Sequence, residues 1–324
     1  MRMALFLVVE REENMAKDLR YYTAQLRRIE ASRAKGVEKK IRKIYKEMLT
    51  DLQHFIADEY IKLAEEGKLT YEILHGKVEY ARFLAEVEQR LDGISSKVSR
   101  EIRETVEDIY KIGYEGMIEA VRKSSSAMEL QQALSSVRAV TPEVIRAAVN
   151  NPISGLTLSD TLEKNRKAII YNIKQQIGIG LSQGDRMSTM ARRISDSLDG
   201  DYKKAIRIAR TEVHRVREAG HLDASLEVDD ALEKSAMPVR MFKIWLTMKD
   251  ERVRPNRMYK TKKGWKRGKP GGENHEKMHD VAVPVNEPFE LSGGAKAMAP
   301  GQSGVAGHDI NCRCTMDYEL RDVD

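Results

Sequence analysis

Residues 239–248 read VRMFKIWLTM, and this stretch decides the fold class. Phe242, Ile244 and Leu246 fall on one face of an extended chain, and the residues between them fall on the other, which is the period of a β-strand. Upstream of this stretch, apolar residues recur every three or four positions, which is the period of an α-helix. The change of period predicts an α+β protein in which long helices precede a small antiparallel sheet.

The first half of the chain carries long helical patterns. One apolar stripe at three- and four-residue spacing comprises Val37, Ile41, Ile44, Tyr45, Met48 and Leu52. Gly93 is predicted to interrupt a second stripe, and Thr141 followed by Pro142 predicts a helix start. We therefore predict a helical docking module over residues 1–150, whose amphipathic faces would pack on one another and meet partner subunits.

The second half begins with helices and ends with strands. Gly184 is predicted to close one helix, and Ser188 and Asp201 are each predicted to cap a separate helix after it. Short strands are expected around residues 281–285 and 315–320. We therefore predict a C-terminal domain of helices packed on a small antiparallel sheet over residues 151–324, with a basic insertion at about residues 256–278.

Composition excludes several classes of protein. The two cysteines, Cys312 and Cys314, are too few and too close in sequence for a disulfide scaffold. Their use is typical of assembly in a reducing compartment. No apolar run approaches the roughly 20 residues of a membrane span.

Three short motifs carry a resemblance to a known family. The first is Arg210-Thr211-Glu212, late in an amphipathic helix. The second is Trp245 followed by an arginine-rich element that contains Asp250, Arg252, Arg254 and Pro255. The third is Asn311-Cys312-Arg313-Cys314 near the end, and His279 lies between the second and third motifs. Each motif is weak alone, but their order resembles the Mu F-like phage head morphogenesis family over about residues 151–320. In that family a histidine follows soon after the arginine-rich element, and here the basic insertion separates the two.

The resemblance implies a minor head protein of a tailed phage. Such a protein would associate with the portal protein and the inner capsid, and would take part in head assembly and in DNA packaging or delivery. It would lie inside the virion or at the portal vertex. Cofactors and catalytic residues are not expected of it.

The motif residues have competing interpretations. We favour a buried polar brace linking Glu212, Asp250, Arg252 and Arg254 over a catalytic role, because planar guanidinium groups pair well with carboxylates. For the two cysteines, a zinc site completed by His279 or His308 is the alternative to simple packing. We favour packing and expect no metal, since zinc-binding cysteines are usually separated by two or more residues.

The basic insertion gives the chain its local charge. Between Arg240 and His279 there are thirteen Lys or Arg and four Asp or Glu, a net +9, whereas the whole chain carries +6. The insertion holds a dense group of six cations, Lys260, Lys262, Lys263, Lys266, Arg267 and Lys269, with Tyr259 and Trp265 among them. Lysines interleaved with aromatic side chains suit sequence-independent contact with double-stranded DNA. A solvated, glycine-rich loop is the alternative.

Two other functions compete with a head protein. One is an enzyme, either a metal-dependent nuclease or a transferase, acting on or near phage DNA. The sequence shows no glycine-rich phosphate loop, no His-Glu-x-x-His helix and no nucleophile elbow, which argues against it. The other is a free DNA-binding protein, which would bind DNA without binding a portal.

Overall fold

The computed structural model describes residues 18–63, 68–74, 78–249, 253, 258–261, 264–267 and 274–323. The helices in these ranges are α1 (Leu19–Leu63), α2 (Tyr71–Leu74), α3 (Val78–Ser124), α4 (Met128–Leu134), α5 (Pro142–Asn150), α6 (Leu158–Ser182), α7 (Met187–Lys234) and α8 (Ala306–Asp309). The strands are β1 (Val239–Leu246), β2 (Met258–Thr261), β3 (Gly264–Arg267), β4 (Val281–Pro284), β5 (Phe289–Glu290), β6 (Lys296–Ala297) and β7 (Thr315–Asp322). Single 3₁₀ turns lie at Glu276–Met278 and Ser292–Gly294. The α+β class is confirmed.

Two long helices continue through positions where the sequence predicts breaks. Helix α3 passes through Gly93, and α7 runs from Met187 past Asp201 without interruption. The predicted breaks are wrong because burial continues on both sides: Leu91 and Val98 flank Gly93 and are 0% and 4% exposed. A helical glycine costs only about 1 kcal/mol relative to alanine, which is less than the burial of one such side chain contributes.

Other helix boundaries lie where the sequence predicts them. The side chain of Thr141 accepts a hydrogen bond from the backbone N–H of Val144, and Pro142 is the first residue of α5. Helix α6 ends at Ser182, and Gly184 after it has φ +61°, a left-handed conformation that favours glycine.

The chain divides into two compact units. The sheet unit comprises Met1–Arg33, Val106–Gly155 and Val213–Asp324, and the helical unit comprises Ala34–Thr105 and Leu156–Glu212. Each unit therefore takes segments from both sides of residue 150. The division of function at residue 150 stays a prediction.

The helical unit has an aliphatic core. Its most deeply buried side chains, at most 1% exposed, include Ile41, Met48, Leu52, Leu69, Val87, Leu91, Ile102, Ile173, Ile177, Met190 and Ile194. At one edge, the hydroxyl of Tyr60 donates a 2.8 Å hydrogen bond to the backbone oxygen of Asp185. Several of these residues belong to the stripes recognised in the sequence, so the helical periodicity predicts this core.

The sheet unit is built around β1. Strand β1 lies between β4 and β7 and is antiparallel to both, with Trp245 opposite Val281 on one side and Met316 on the other. The last turns of α7 are tied to β1, because a carboxylate oxygen of Asp229 accepts a 2.7 Å hydrogen bond from the backbone N–H of Met241. The sheet thus has one helix fixed at its centre.

The first turns of α1 belong to the same unit as β7. Asp317 of β7 accepts hydrogen bonds from Thr23 at 3.1 Å and from Arg27 at 2.5 Å.

In the described part of the chain, no helix is both long and apolar enough to cross a bilayer.

Candidate metal-binding cluster

Four buried side chains from separate segments of the sheet unit meet at one place, which we call the His-Cys cluster. His275 comes just before the 3₁₀ turn at Glu276, His308 lies in α8, and Cys312 and Cys314 lie in the run that leads into β7. All four are at most 6% exposed. The cluster is therefore shielded from bulk water by the core of the unit.

The sheet supplies the wall of the cluster. Trp245 of β1 is fully buried, and its ring packs edge-on against His275 at 5.4 Å and against Phe289 at 5.2 Å between centroids. Because β1 is the central strand, this tryptophan fixes the position of the His275 ring relative to the sheet.

The ligand atoms of the cluster converge. Nδ1 of His275 lies 3.7 Å from Sγ of Cys312 and 3.5 Å from Sγ of Cys314, and the three atoms lie within 4.8 Å of one another. Cys312 and Cys314 are buried while Arg313 between them is partly exposed. Residues two apart in an extended chain share a face, so a single intervening residue brings both sulfur atoms to the same nitrogen.

A chain of hydrogen bonds sets the protonation of the two imidazoles. Nε2 of His308 lies 3.2 Å from the backbone oxygen of Ser292, which only accepts, so this nitrogen carries the proton. Nδ1 of neutral His308 then accepts from Nε2 of His275 at 2.9 Å. The lone pair of His275 is consequently on Nδ1, the atom that faces the two cysteines.

His214 is also close enough to act on the thiol of Cys312. This residue of α7 is 8% exposed, and its Nε2 atom is buried without a hydrogen-bond partner among the described residues. Its Nδ1 atom lies 3.0 Å from Nη2 of Arg217 and 4.0 Å from a carboxylate oxygen of Glu218. Gly301 packs against the ring, because a Cβ at this glycine would lie 3.4 Å from Cδ2 of His214.

The neighbouring groups change the pKa of the Cys312 thiol. A hydrogen bond with Cys314 and burial raise its pKa, while His214 and His275 act in the opposite direction, and the net pKa is above its ordinary value. In the structure as it stands the thiol form is favoured. A cation placed between the two sulfur atoms would reverse this preference, since it stabilises the thiolate.

Glu218 links the cluster to β7. It accepts hydrogen bonds from Arg217 at 2.5 and 2.9 Å and from the backbone N–H of Met316 at 3.0 Å. Burial works against its ionisation, but the charges of Arg217, His214 and His221 outweigh burial and hold the pKa of Glu218 below its ordinary value. Glu218 is therefore a buried carboxylate, and one of its oxygens lies 4.0 Å from Nδ1 of His214.

A pocket opens beside the cluster. It is lined by Met248, Val253, His275, Asn311, Cys312, Arg313 and Cys314. Asn311 has φ +57°, a left-handed conformation that asparagine tolerates better than most residues, and it turns the chain from α8 toward the two cysteines. The Asn-Cys-Arg-Cys motif thus combines a turn with two inward-facing thiols.

The structure separates the histidines that the sequence offers as zinc ligands. His308 is in the cluster, where its Nδ1 atom lies 2.9 Å from Nε2 of His275. His279 is engaged elsewhere: Nδ1 accepts from the backbone N–H of Thr247 at 3.1 Å, and Nε2 pairs with Asp280 at 3.1 Å. His275 and His214 have no distinguishing spacing in the sequence, and only the fold brings them to the cysteines.

The Arg210-Thr211-Glu212 motif lies in the helical unit. Arg210 makes two 2.7 Å hydrogen bonds to the carboxylate of Glu38, while Thr211 and Glu212 are buried at 7% and 4% exposure. The predicted partners of Glu212 in the polar brace, namely Asp250, Arg252 and Arg254, lie outside the described residues, as does Pro255. The brace stays a prediction.

The basic insertion contains a hairpin. Strands β2 and β3 pair antiparallel, with Tyr259 opposite Lys266 and Lys260 opposite Trp265, and Arg267 ends β3. Lys262, Lys263 and Lys269 lie outside the described residues. Cations and aromatic residues therefore alternate across the two strands, an arrangement that periodicity did not predict.

Comparisons with known proteins identify the class. A family model described as Phage Mu protein F like protein matches residues 171–266. This region contains the Arg-Thr-Glu motif, Trp245 and the arginine-rich element, and it ends within the basic insertion. Together with the relative described next, the match supports a Mu F-like phage head protein.

Two known proteins are similar to this chain over most of its length. The chain is 27% identical over 284 residues to Minor head protein GP7 of Bacillus phage SPP1, covering 87% of this chain and 82% of that protein. It is 28% identical over 229 residues to NAD(+)--arginine ADP-ribosyltransferase EFV of Enterococcus faecalis (strain ATCC 700802 / V583), covering 71% of this chain but only 38% of that protein. No solved structure matches the chain.

Proposed function

We propose that this head protein acts at the portal vertex, where it takes part in head assembly and in the packaging or delivery of double-stranded DNA. The observation that carries the proposal is the similarity to Minor head protein GP7, which extends over 87% of the chain and so includes residues of both compact units. Assembly would take place in the host cytoplasm, and the protein would remain in the capsid interior or at the portal.

The contact with the portal is assigned to the helical first part of the chain. Two large apolar side chains there are unusually exposed: Ile61 near the end of α1, at 83%, and Met128 at the start of α4, at 80%. A deletion of residues 1–140 would remove segments of both units, so point substitutions test the contact more cleanly.

The experiment is co-purification of the full chain with the portal protein of the same phage. Ile61→Asp and Met128→Asp should each reduce the amount that co-purifies, because a charge opposes burial of the apolar contact. Tyr171→Asp is the matched control, since Tyr171 is 65% exposed but lies in the second part of the chain. Normal recovery of both test variants, or loss of binding only in the control, would contradict this assignment.

An enzyme remains the second candidate function. It is favoured by the relative named as an arginine ADP-ribosyltransferase, although this chain matches only 38% of that protein. Incubation of the purified chain with labelled NAD⁺ and an arginine-rich acceptor protein distinguishes the two functions. We expect no transfer of label, and label on the acceptor above a heat-treated control would support the transferase.

A further inference from the structure

We propose that His214, His275, Cys312 and Cys314 bind one zinc ion in tetrahedral geometry. The inference goes beyond the role in head assembly, and it reverses our expectation from the sequence that the two cysteines only pack. It rests on the distances from Nδ1 of His275 to the two sulfur atoms and on the orientation that His308 gives to the His275 ring. It also rests on the burial of the four proposed ligands.

The distances fit a metal site. Zinc–sulfur and zinc–nitrogen bonds of about 2.3 and 2.1 Å at a tetrahedral angle require about 3.6 Å between a sulfur and a nitrogen ligand. Nδ1 of His275 lies 3.7 and 3.5 Å from the two sulfur atoms. A single lone pair on Nδ1 can accept only one thiol proton, whereas a metal ion uses this nitrogen and both sulfur atoms together.

His275 is already oriented as a ligand. The hydrogen bonds from Ser292 through His308 place its proton on Nε2 and its lone pair on Nδ1, toward the cysteines. Zinc-binding histidines commonly donate the other ring N–H to an acceptor that fixes the ring in this way. The cluster therefore has its supporting hydrogen bonds in place.

We assign the fourth ligand to His214, which is not one of the three residues whose ligand atoms lie within 4.8 Å of one another and would have to move closer to bind. Its Nε2 atom is buried without a hydrogen-bond partner among the described residues, which is costly for a ring nitrogen, and the ring lies close enough to Cys312 to influence the thiol. In the structure Nη2 of Arg217 donates to Nδ1 at 3.0 Å, so the proton of neutral His214 lies on Nε2. A metal ion on Nε2 would require this proton to move to Nδ1 and the ring to shift toward the carboxylate of Glu218, which lies 4.0 Å away. Arg217 would then release Nδ1 and keep its two hydrogen bonds to Glu218.

The ligand set selects the metal and its role. Two thiolates and two imidazoles in tetrahedral geometry favour zinc over the hard cations magnesium and calcium. Four protein ligands leave no position for water or substrate, so the ion would be structural and not catalytic. It would join α7, the segment before the 3₁₀ turn at Glu276, and the run into β7, which are far apart in the sequence.

The test uses the full-length protein purified without chelator. Elemental analysis should find one zinc per chain. After removal of zinc, cobalt(II) should restore the site and produce the intense visible bands of tetrahedral cobalt with a thiolate charge-transfer band in the near ultraviolet. Cys312→Ser and His275→Ala should each lose the charge-transfer band or bind the metal much more weakly, and zinc should protect both wild-type cysteines from alkylation.

The controls separate loss of a ligand from loss of the fold. His279→Ala is the matched variant, because its ring nitrogens are engaged by Thr247 and Asp280, and it should retain one zinc per chain. Circular dichroism of each variant checks folding, while the cobalt and alkylation measurements on the wild type depend on no variant. Wild-type protein without zinc and without a cobalt charge-transfer band would overturn the site. An unchanged cobalt spectrum in His214→Ala would overturn the fourth ligand.

Discussion

The Nε2 atom of His275 lies 2.9 Å from the Nδ1 atom of His308, and the planes of the two rings are within 8° of parallel. His308 is in turn held by the backbone oxygen of Ser292 at 3.2 Å. His308 is therefore a positioning residue, because it determines which nitrogen of His275 can bind a metal without touching the metal itself.

Replacement of this positioning residue should weaken metal binding without abolishing it. His308→Ala is expected to lower zinc affinity by about 10- to 100-fold, as is usual when the hydrogen-bonding partner of a metal ligand is removed. His308→Gln should recover part of the loss, since its amide oxygen can accept from His275. Competition with a chromophoric chelator measures the affinity. Equal affinity in all three proteins would contradict the positioning role.

Lys243 provides a prediction about pH. It is fully buried in β1, donates a 2.8 Å hydrogen bond to the backbone oxygen of Met298, and lies 5.2 Å from the centre of the Phe289 ring. Burial lowers the pKa of Lys243 from 10.5 to about 8. Between these values the unfolded chain binds more protons than the folded chain, so the free energy of unfolding rises with pH through this window.

The matching experiment compares wild type with Lys243→Met. Relative to the variant, the free energy of unfolding of the wild type should rise by about 2 kcal/mol between about pH 7.5 and about pH 9.5. Urea titrations at several pH values measure the difference, and the comparison cancels most other titrating groups. A difference that stays constant with pH would show that Lys243 keeps its ordinary pKa, and one that falls would show that folding raises it.

Sequence periodicity predicts much of the fold. The alternation in residues 239–248 predicts β1, and the Thr141-Pro142 pair predicts the start of α5, because strand periodicity and helix capping are local properties. Gly93 and Asp201 misled the prediction for a nonlocal reason. Packing on both sides of each position keeps its helix intact, and a single sequence does not show that packing.

The candidate site is harder to predict. The sequence singles out Cys312, Cys314 and His308 but not His275, which lies 37 residues before Cys312 and has no regular spacing to it. The argument from cysteine spacing expects two or more residues between zinc-binding cysteines, whereas here one intervening residue leaves both thiols on one face of a run leading into a strand. The burial of Lys243 is equally hard to predict from the sequence. Its charge places it among the thirteen cations between Arg240 and His279, but only the structure shows that it is buried.

Gly220 marks a close approach of two helices within the sheet unit. A Cβ at this position of α7 would lie 2.6 Å from the backbone oxygen of Tyr110 and 3.2 Å from the backbone nitrogen of Tyr114, both in α3. Gly220→Ala should lower the free energy of unfolding by about 1–3 kcal/mol, because backbone must move to admit the methyl group. Gly200→Ala is the control: Gly200 lies in the same helix with nothing within 4 Å, so the substitution should be neutral or stabilising. Thermal unfolding distinguishes them, and equal stability would contradict the close packing.

The basic insertion leads to a prediction about DNA. Residues 240–279 carry +9, and since Lys243 is buried, its charge is not available to a partner. The remaining cations include Lys260, Lys266 and Arg267 in the β2–β3 hairpin. Neutralising one DNA phosphate releases counterions and contributes about −0.9 to the slope of log affinity against log salt concentration. We therefore expect weak, sequence-independent binding to double-stranded DNA that decreases steeply as salt is added.

Two variants with equal loss of charge test whether the insertion is responsible. In the first, six cations within residues 260–269 are changed to glutamine: Lys260, Lys262, Lys263, Lys266, Arg267 and Lys269. In the control, six exposed lysines on the helices are changed in the same way: Lys43, Lys62, Lys111, Lys167, Lys203 and Lys234. Fluorescence titrations at several salt concentrations should show a flatter slope for the first variant only, because only its lysines would contact phosphates. If both variants flatten the slope equally, overall charge governs binding. If neither does, the insertion is a solvated loop or binds an acidic protein surface.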